Sequence, residues 1–170
     1  MKFFKKWRGQ NSAPPERSSL VSILGNAIIA GIVISLLFLL QDKLEAILVM
    51  GTFGASCLIV FSYPDSPFAQ PRNVVCGHLM GAIIGLICFK LLGPAWWSAG
   101  LAVALTIIAM KSSRTVHPPA TSNPLIFFLI KSQPHWSFML FSTFMGACAI
   151  ILIALFVHNL RRTEAWPKYW

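Results

Sequence analysis

The sequence predicts an all-α membrane protein of four to five transmembrane helices, with two short proline-broken or re-entrant segments among them. Three observations carry this. The chain is 56% hydrophobic and 11% charged, against roughly 25% charged residues in an average soluble domain. Several apolar runs approach the roughly 20 residues that a helix needs to cross a hydrocarbon core. Two polar, proline-rich runs sit directly beside apolar ones, Ser62 to Asn73 and Arg114 to Asn123. Backbone of that kind leaves N–H and C=O groups unpaired, so next to spanning helices it must be buried in protein or line a watery path.

Taken in order, residues 1–19 form a basic tail, with Lys2, Lys5, Lys6, Arg8 and Arg17 against Glu16 and a helix-breaking Pro14-Pro15. By the positive-inside rule this N-terminus faces the cytoplasm. Leu20 to Leu40 is 21 residues long, about 31 Å as helix. It lacks a small-residue cleavage site, so it reads as a permanent span rather than a signal peptide. Ala46 to Phe61 is marginal for crossing, and the first polar run ends it. Val74 to Leu92 spans comfortably, with Gly77, Gly81 and Gly85 recurring every fourth residue, the spacing that lets a second helix approach closely. After the Gly93-Pro94 link and the interfacial Trp96 and Trp97, Ser98 to Met110 is again short. The second polar run follows, then brief apolar Pro124 to Ile130, a link at Lys131 to His135, and a full span at Ser137 to Val157. One membrane domain, residues 20–158, is thus expected between basic tails at 1–19 and 159–170. Basic residues in both tails favour an even number of crossings.

The two breaks, Cys57 to Asn73 and Ile108 to Asn123, fall in corresponding places. Proline-interrupted hydrophobic segments in matching positions suggest an inverted repeat with a transport site between them.

Charge narrows the class of substrate. Four of the five acids, Glu16, Asp42, Glu45 and Asp65, lie in the first 65 positions, and from Ser66 to Thr163 there is no acid. That interval keeps Arg72, Lys90, Lys111, Arg114, Lys131, Arg161 and Arg162. It offers no carboxylate to a cation, and a field of that sign attracts anions. Most of these residues suit snorkelling to lipid phosphate, but Arg72 and Arg114 each lie beside a break. The four cysteines show no CxxC spacing and read as packing residues. No HExxH, acid pair or Gly-rich phosphate loop is present, so neither an enzyme nor a metal, cofactor or nucleic-acid partner is expected.

At the second break, Pro118 and Pro119 remove two donors and push His117 out of helical conformation. A new helix is expected at Asn123-Pro124, with Asn as N-cap and Pro at the first position. Its N-terminus, with Thr121, Ser122 and Arg114 nearby, would suit an anion. The first break repeats the ingredients with Gln70, Arg72 and Asn73 before a helix expected from Val74, and His78 lies one turn inside it. His117 could gain a proton near neutral pH and tune such a site.

Gly51-Thr52-Phe53-Gly54-Ala55-Ser56, Ser66-Pro67-Phe68-Ala69-Gln70-Pro71-Arg72-Asn73 with Gly77-His78, and His117-Pro118-Pro119-Ala120 together resemble the HPP family of integral membrane proteins. The resemblance runs in order over roughly Leu20 to Val157. It implies a compact domain of about four helices, and it implies nitrite transport, to which chloroplast and cyanobacterial members are linked. It places Gly54, Ala55 and Ser56, then Gln70, Pro71, Arg72 and Asn73, then His117, Pro118 and Pro119 among the family motifs. The sequence reading is therefore a permease for nitrite or a related small monovalent anion, in a cyanobacterial-type plasma membrane or chloroplast-type inner membrane, acting as a homo-oligomer. Arg72 and Arg114 would attract the anion. Gln70, Asn73, Ser122 and Asn123 would donate to it. The competing expectation is a non-transporting scaffold that binds a partner through the Gly77-Gly81-Gly85 face.

Overall fold

A computed structural model describes residues 13–44, 50–130 and 136–170. Its described elements are helices α1 (Leu20–Leu44), α2 (Gly51–Ser62), α3 (Pro71–Leu92), α4 (Trp96–Ser112), the four-residue α5 (Ile126–Leu129) and α6 (Trp136–Arg161), with 3₁₀ turns at Pro67–Ala69 and Pro118–Leu125. Among the described residues, three helices are long and apolar enough to cross a membrane, over Leu20–Lys43, Pro71–Leu92 and Met139–Arg161. The protein is an all-α, multi-pass membrane protein. Lys131 to His135, the side chain of Trp136 and most of the N-terminal tail lie outside the described residues, as does the expected start of the second apolar segment at Ala46.

Several boundaries move from the sequence reading, each for a local reason. α3 starts at Pro71, three residues before Val74, because proline's fixed φ and missing N–H suit the first helical position. α4 runs from Trp96 to Ser112, since Ser98 turns its hydroxyl back to bond the Ala95 amide and the Gly93 carbonyl and so secures an earlier start. The helix expected at Asn123-Pro124 does not form there. Pro118, Pro119 and Pro124 cannot donate to an α ladder, so the run stays 3₁₀ through Leu125, and α-helix begins only at Ile126.

Contacts between the elements set their direction. Gly25 on α1 lies beside the Arg161 guanidinium, and His158 Nε2 donates to the Val60 carbonyl at 3.0 Å, so the start of α1, the end of α2 and the end of α6 share one end of the domain. At the opposite end of α2, Met50 meets Thr143 of α6. α3 leaves the shared end and α4 returns to it. The polar run then travels back down α3, His117 against Gly77, Ala120 and Asn123 against Gly81, and Pro124 against Gly85. Eight 3₁₀ residues and one α turn cover about 22 Å. The polar run is thus a pass through the domain in its own right, one that hydropathy does not count.

The glycines explain why it can lie there. A Cβ on Gly81 would sit 2.6 Å from the Ala120 carbonyl oxygen, and one on Gly85 would sit 2.5 Å from Pro124 Cα. The small-residue face is filled by the chain's own broken pass, which corrects the expectation that it binds a partner. The main apolar core lies elsewhere, among Val33, Phe53, Cys57, Val60, Ile150 and Ala154, where α1, α2 and α6 meet. Ala82, Phe127 and Met139 form a smaller cluster under α5. Of the cysteines, Cys57 and Cys88 are buried and Cys76 is exposed, and all four are free thiols.

The two breaks follow different courses. The first, Tyr63 to Gln70, turns the chain at the shared end and is covered by the C-terminal tail. Trp166 Nε1 donates to the Pro64 carbonyl at 3.0 Å, the Lys168 amide donates to Gln70 Oε1 at 2.8 Å, and Arg162 pairs with Asp65 at 2.8 Å. The second break goes inward.

Candidate functional site

The centre of the domain holds a continuous run of polar side chains. Ser56 on α2, His78 on α3, and His117 and Asn123 on the broken pass are all fully buried. Ser56 Oγ is 2.8 Å from His78 Nε2 and 2.9 Å from His117 Nε2. His117 Nδ1 is 2.7 Å from the Phe68 carbonyl oxygen in the first break. Asn123 Nδ2 is 2.8 Å from His78 Nδ1 and 3.0 Å from the His78 carbonyl.

These partners determine where the protons sit. A carbonyl only accepts, so His117 carries its proton on Nδ1 and leaves Nε2 as an acceptor. The Ser56 hydroxyl therefore donates to His117 Nε2, with the Thr52 carbonyl as a second acceptor at 3.1 Å. Asn123 must point its amide nitrogen at the His78 carbonyl, so it also donates to His78 Nδ1. His78 then carries its proton on Nε2 and donates to Ser56. Every bond runs in one direction, from Asn123 through His78, Ser56 and His117 to Phe68. All four imidazole nitrogens are committed, so a metal could bind here only by breaking the chain. Among the described residues no group of three His, Cys, Asp or Glu gathers elsewhere.

Local sequence puts these groups in register. His117 is held in extended conformation by the proline after it, at φ −132° and ψ 100°. Gly77 lets its Cβ approach. Ser56 follows Thr52 by one helical turn, and the Phe53 ring packs edge-on against His78 with centroids 5.0 Å apart. The His78 and His117 rings are 5.1 Å apart.

The remaining sequence-predicted residues fall into two groups. Arg72 and Arg114 are both exposed at the shared end, where Arg72 donates to the Ser113 carbonyl at 3.1 Å. Arg114 holds a left-handed φ of 57°. It closes α4 in a Schellman turn, with its own amide on the Lys111 carbonyl and the Thr115 amide on Met110. Glycine usually takes that position. Gln70 is fully buried and spends its amide on the Pro64 and Ser66 carbonyls. Asn73 donates to the Val116 carbonyl at 3.0 Å. Thr121 and Ser122 donate to the Pro118 and Pro119 carbonyls inside the 3₁₀ run.

The structure therefore does bring the two breaks together, through Arg72 to Ser113, Asn73 to Val116 and His117 to Phe68. It does not place two helix N-termini face to face. The first such terminus, at Pro71, lies at the shared end, and the second is absent because the run is 3₁₀ there. Asn123, expected to cap a helix, instead holds His78. The Phe68 carbonyl could not be foreseen as a partner, since a backbone acceptor carries no residue signature. His158 is buried between Phe61 and Trp166.

The chain matches the family described as HPP, transmembrane region, over residues 15–167. The chain belongs to the HPP family. Ser56, His78, His117 and Asn123 all fall inside the matched range. Among curated proteins, this HPP chain is similar to a transmembrane protein of Dictyostelium discoideum, with 32% identity over 181 residues covering 100% of this chain and 58% of that protein. A second transmembrane protein of the same organism is 31% identical over 182 residues, covering 100% of this chain and 64% of that one. The chain thus spans about three fifths of the length of the curated relatives it matches. No solved structure matches it.

Proposed function

We propose that this chain transports nitrite or a related small monovalent anion across its membrane, along the path where the two breaks meet. The observation that carries this reading is the buried Asn123–His78–Ser56–His117 chain, which ties a non-α pass of a membrane domain to α2 and α3. Polar and ionisable groups inside a bilayer are expensive, and where they occur they mark substrate and ion pathways. Arg72 and Arg114 flank the end of that path as an exposed basic mouth, and Asp65 at the same end is taken up by Arg162 and Lys168. Gln70, Asn73, Thr121 and Ser122 shape the backbone around it.

The sequence-based placement in a cyanobacterial-type plasma membrane or chloroplast-type inner membrane, with the N-terminus cytoplasmic and the active form a homo-oligomer, belongs to the same proposal. Anion flux in proteoliposomes tests it. Arg72→Ala and Arg114→Ala should each slow nitrite uptake, more so at low ionic strength, because an exposed charge steers through a field that salt screens. Wild-type flux in both variants would sink the assignment of the mouth. Absence of nitrite flux in the wild-type protein would sink the transport reading itself.

A further inference from the structure

At the shared end, Ser22 and Asn26 of α1, Ser62 of α2 and Arg161 of α6 border one cavity of about 230 Å³. None of these four side chains has a hydrogen bond or ion pair among the described residues. The serines and the asparagine are half-buried and Arg161 is exposed, so their donors remain accessible. The other polar residues of the lining are engaged, Arg162 with Asp65 and His158 with the Val60 carbonyl. Gly25 leaves room for the Arg161 guanidinium against α1, since a Cβ there would lie 3.1 Å from its Nη2.

The register of the two helices extends this cluster into the membrane. Ser22, Asn26 and Ala30 recur every fourth residue on α1, and Ser62, Leu58 and Gly54 do the same on α2 when it is followed back from the shared end. All six line a second cavity of about 320 Å³, which shares Ser22, Asn26 and Ser62 with the first. Positions four apart lie on one face of a helix, so both walls of this groove change from polar to apolar in step. Eight residues of helix make it about 12 Å long. Its inner end is open at Gly54, where a Cβ would meet nothing within 4 Å.

Charge and shape together select the occupant. A guanidinium with hydroxyl and amide donors beside it suits phosphate oxygens. No acidic residue lines either cavity among the described residues, so a choline or ethanolamine amine would meet Arg161 and Arg162 where it needs a carboxylate. A free anion would leave the apolar half of the groove unused. We propose that the groove binds one anionic phospholipid, its phosphate among Arg161, Ser22, Asn26 and Ser62 and an acyl chain along Ala30, Leu58 and Gly54. The lipid bridges the start of α1 to the ends of α2 and α6. It matters most for α1, whose apolar stretch is only 11% buried in the protein, against 39% for each of the other two spans. None of these residues belongs to the buried histidine chain, so the proposal stands apart from the transport reading.

The test is lipid retention and thermal melting of the purified, delipidated full chain in detergent. Phosphatidylglycerol and phosphatidylcholine with the same acyl chains are the probes, with inorganic phosphate as an anion lacking a tail. Native mass spectrometry should show phosphatidylglycerol held about tenfold more tightly than phosphatidylcholine, and adding it should raise the melting temperature. Arg161→Gln should weaken that retention about tenfold. Gly54→Phe, which fills the apolar half, should weaken it too, and because Arg161 is exposed its variant decides the matter even if Gly54→Phe lowers stability. Lys111→Gln, at an exposed cation of the same end, should leave retention unchanged. Equal retention of the two lipids, unchanged retention in Arg161→Gln, or an equal loss in Lys111→Gln would reduce the site to general surface charge and overturn the proposal. Stabilisation by phosphate as large as that by phosphatidylglycerol would make it a soluble-anion site. A changed oligomeric state in Gly54→Phe with lipid retention intact would give the groove to a second copy of the chain. Either result also overturns the proposal.

Discussion

Gly85→Ala probes the seating of the broken pass on α3. The added Cβ would lie 2.5 Å from Pro124 Cα, 2.9 Å from Phe127 Cδ2 and 3.0 Å from Pro124 Cβ. Carbon atoms rest at about 3.5–4.0 Å, so the proline must retreat by about 1 Å. Pro124 is backbone-locked inside the 3₁₀ run, and no rotamer change can absorb that shift. Overpacking of this kind costs about 1–3 kcal/mol, against about 1 kcal/mol returned by alanine's better helix propensity. Gly100→Ala is the matched control, because a Cβ there meets nothing within 4 Å, leaving the propensity gain alone. The two variants should therefore separate by about 1–3 kcal/mol, with Gly100→Ala the more stable. In a thermal melt of detergent-solubilised protein followed by size exclusion, that gap is on the order of 5 °C. If both variants raise the melting temperature alike, the polar run does not lie on the glycine face and the account of the pass is wrong. Gly54→Ala, also facing open space, should behave like Gly100→Ala.

Other outcomes follow from the same contacts. Ser56→Ala strands a donor on His78 and an acceptor on His117, and should destabilise the protein by about 2–5 kcal/mol. A melting temperature within error of wild type would mean the hydroxyl does not link the two rings. Arg114→Gly removes the left-handed strain of about 1–2 kcal/mol along with the charge, so melting should hold or rise while nitrite uptake falls. A fall in both would show the arginine to be structural. The Arg162 hydrogen bond, helped by Lys168, holds the Asp65 carboxyl below the usual carboxylate range. A lowered folded-state value means the pairing stabilises the tail above the unfolded value of about 3.9 and is lost as pH falls through the folded one. Both partners of this pair are partly exposed, so the effect is small and fades with salt. The protection of the Trp166 and Lys168 amides, taken relative to the intrinsic exchange rate at each pH, should fall at acid pH, and Asp65→Asn should reproduce the change at neutral pH. Exchange indifferent to both would show that the tail is held by its backbone bonds alone.

How much of the site was legible depends on what each residue's signal was. His117 and the two prolines after it stand out because proline constrains its neighbours whatever surrounds them. The arginines stand out because the sequence around them lacks acids. Asn123 was visible as a polar residue at a break, but its role was misread. Helix capping is a local possibility, whereas the bond to His78 spans 45 residues and depends on where the pass is laid down. Thr52 lies in a family motif yet carries no pattern of its own, and only the packing around it leaves its buried hydroxyl without a hydrogen-bond partner.

Composition and hydropathy by themselves determined that this is an α-helical membrane protein, where its long helices run and where its backbone must break. Those follow from single-residue transfer energies and from proline's ring, which act locally. The family too is written in local motifs. Tertiary structure alone decided that the Arg114 to Asn123 run is an inward pass, and that the glycine stripe receives it. It alone placed a serine from one helix between histidines from two other segments. Such contacts are set by which faces can approach within a few ångströms, and periodicity along one segment holds no information about the segment that will meet it.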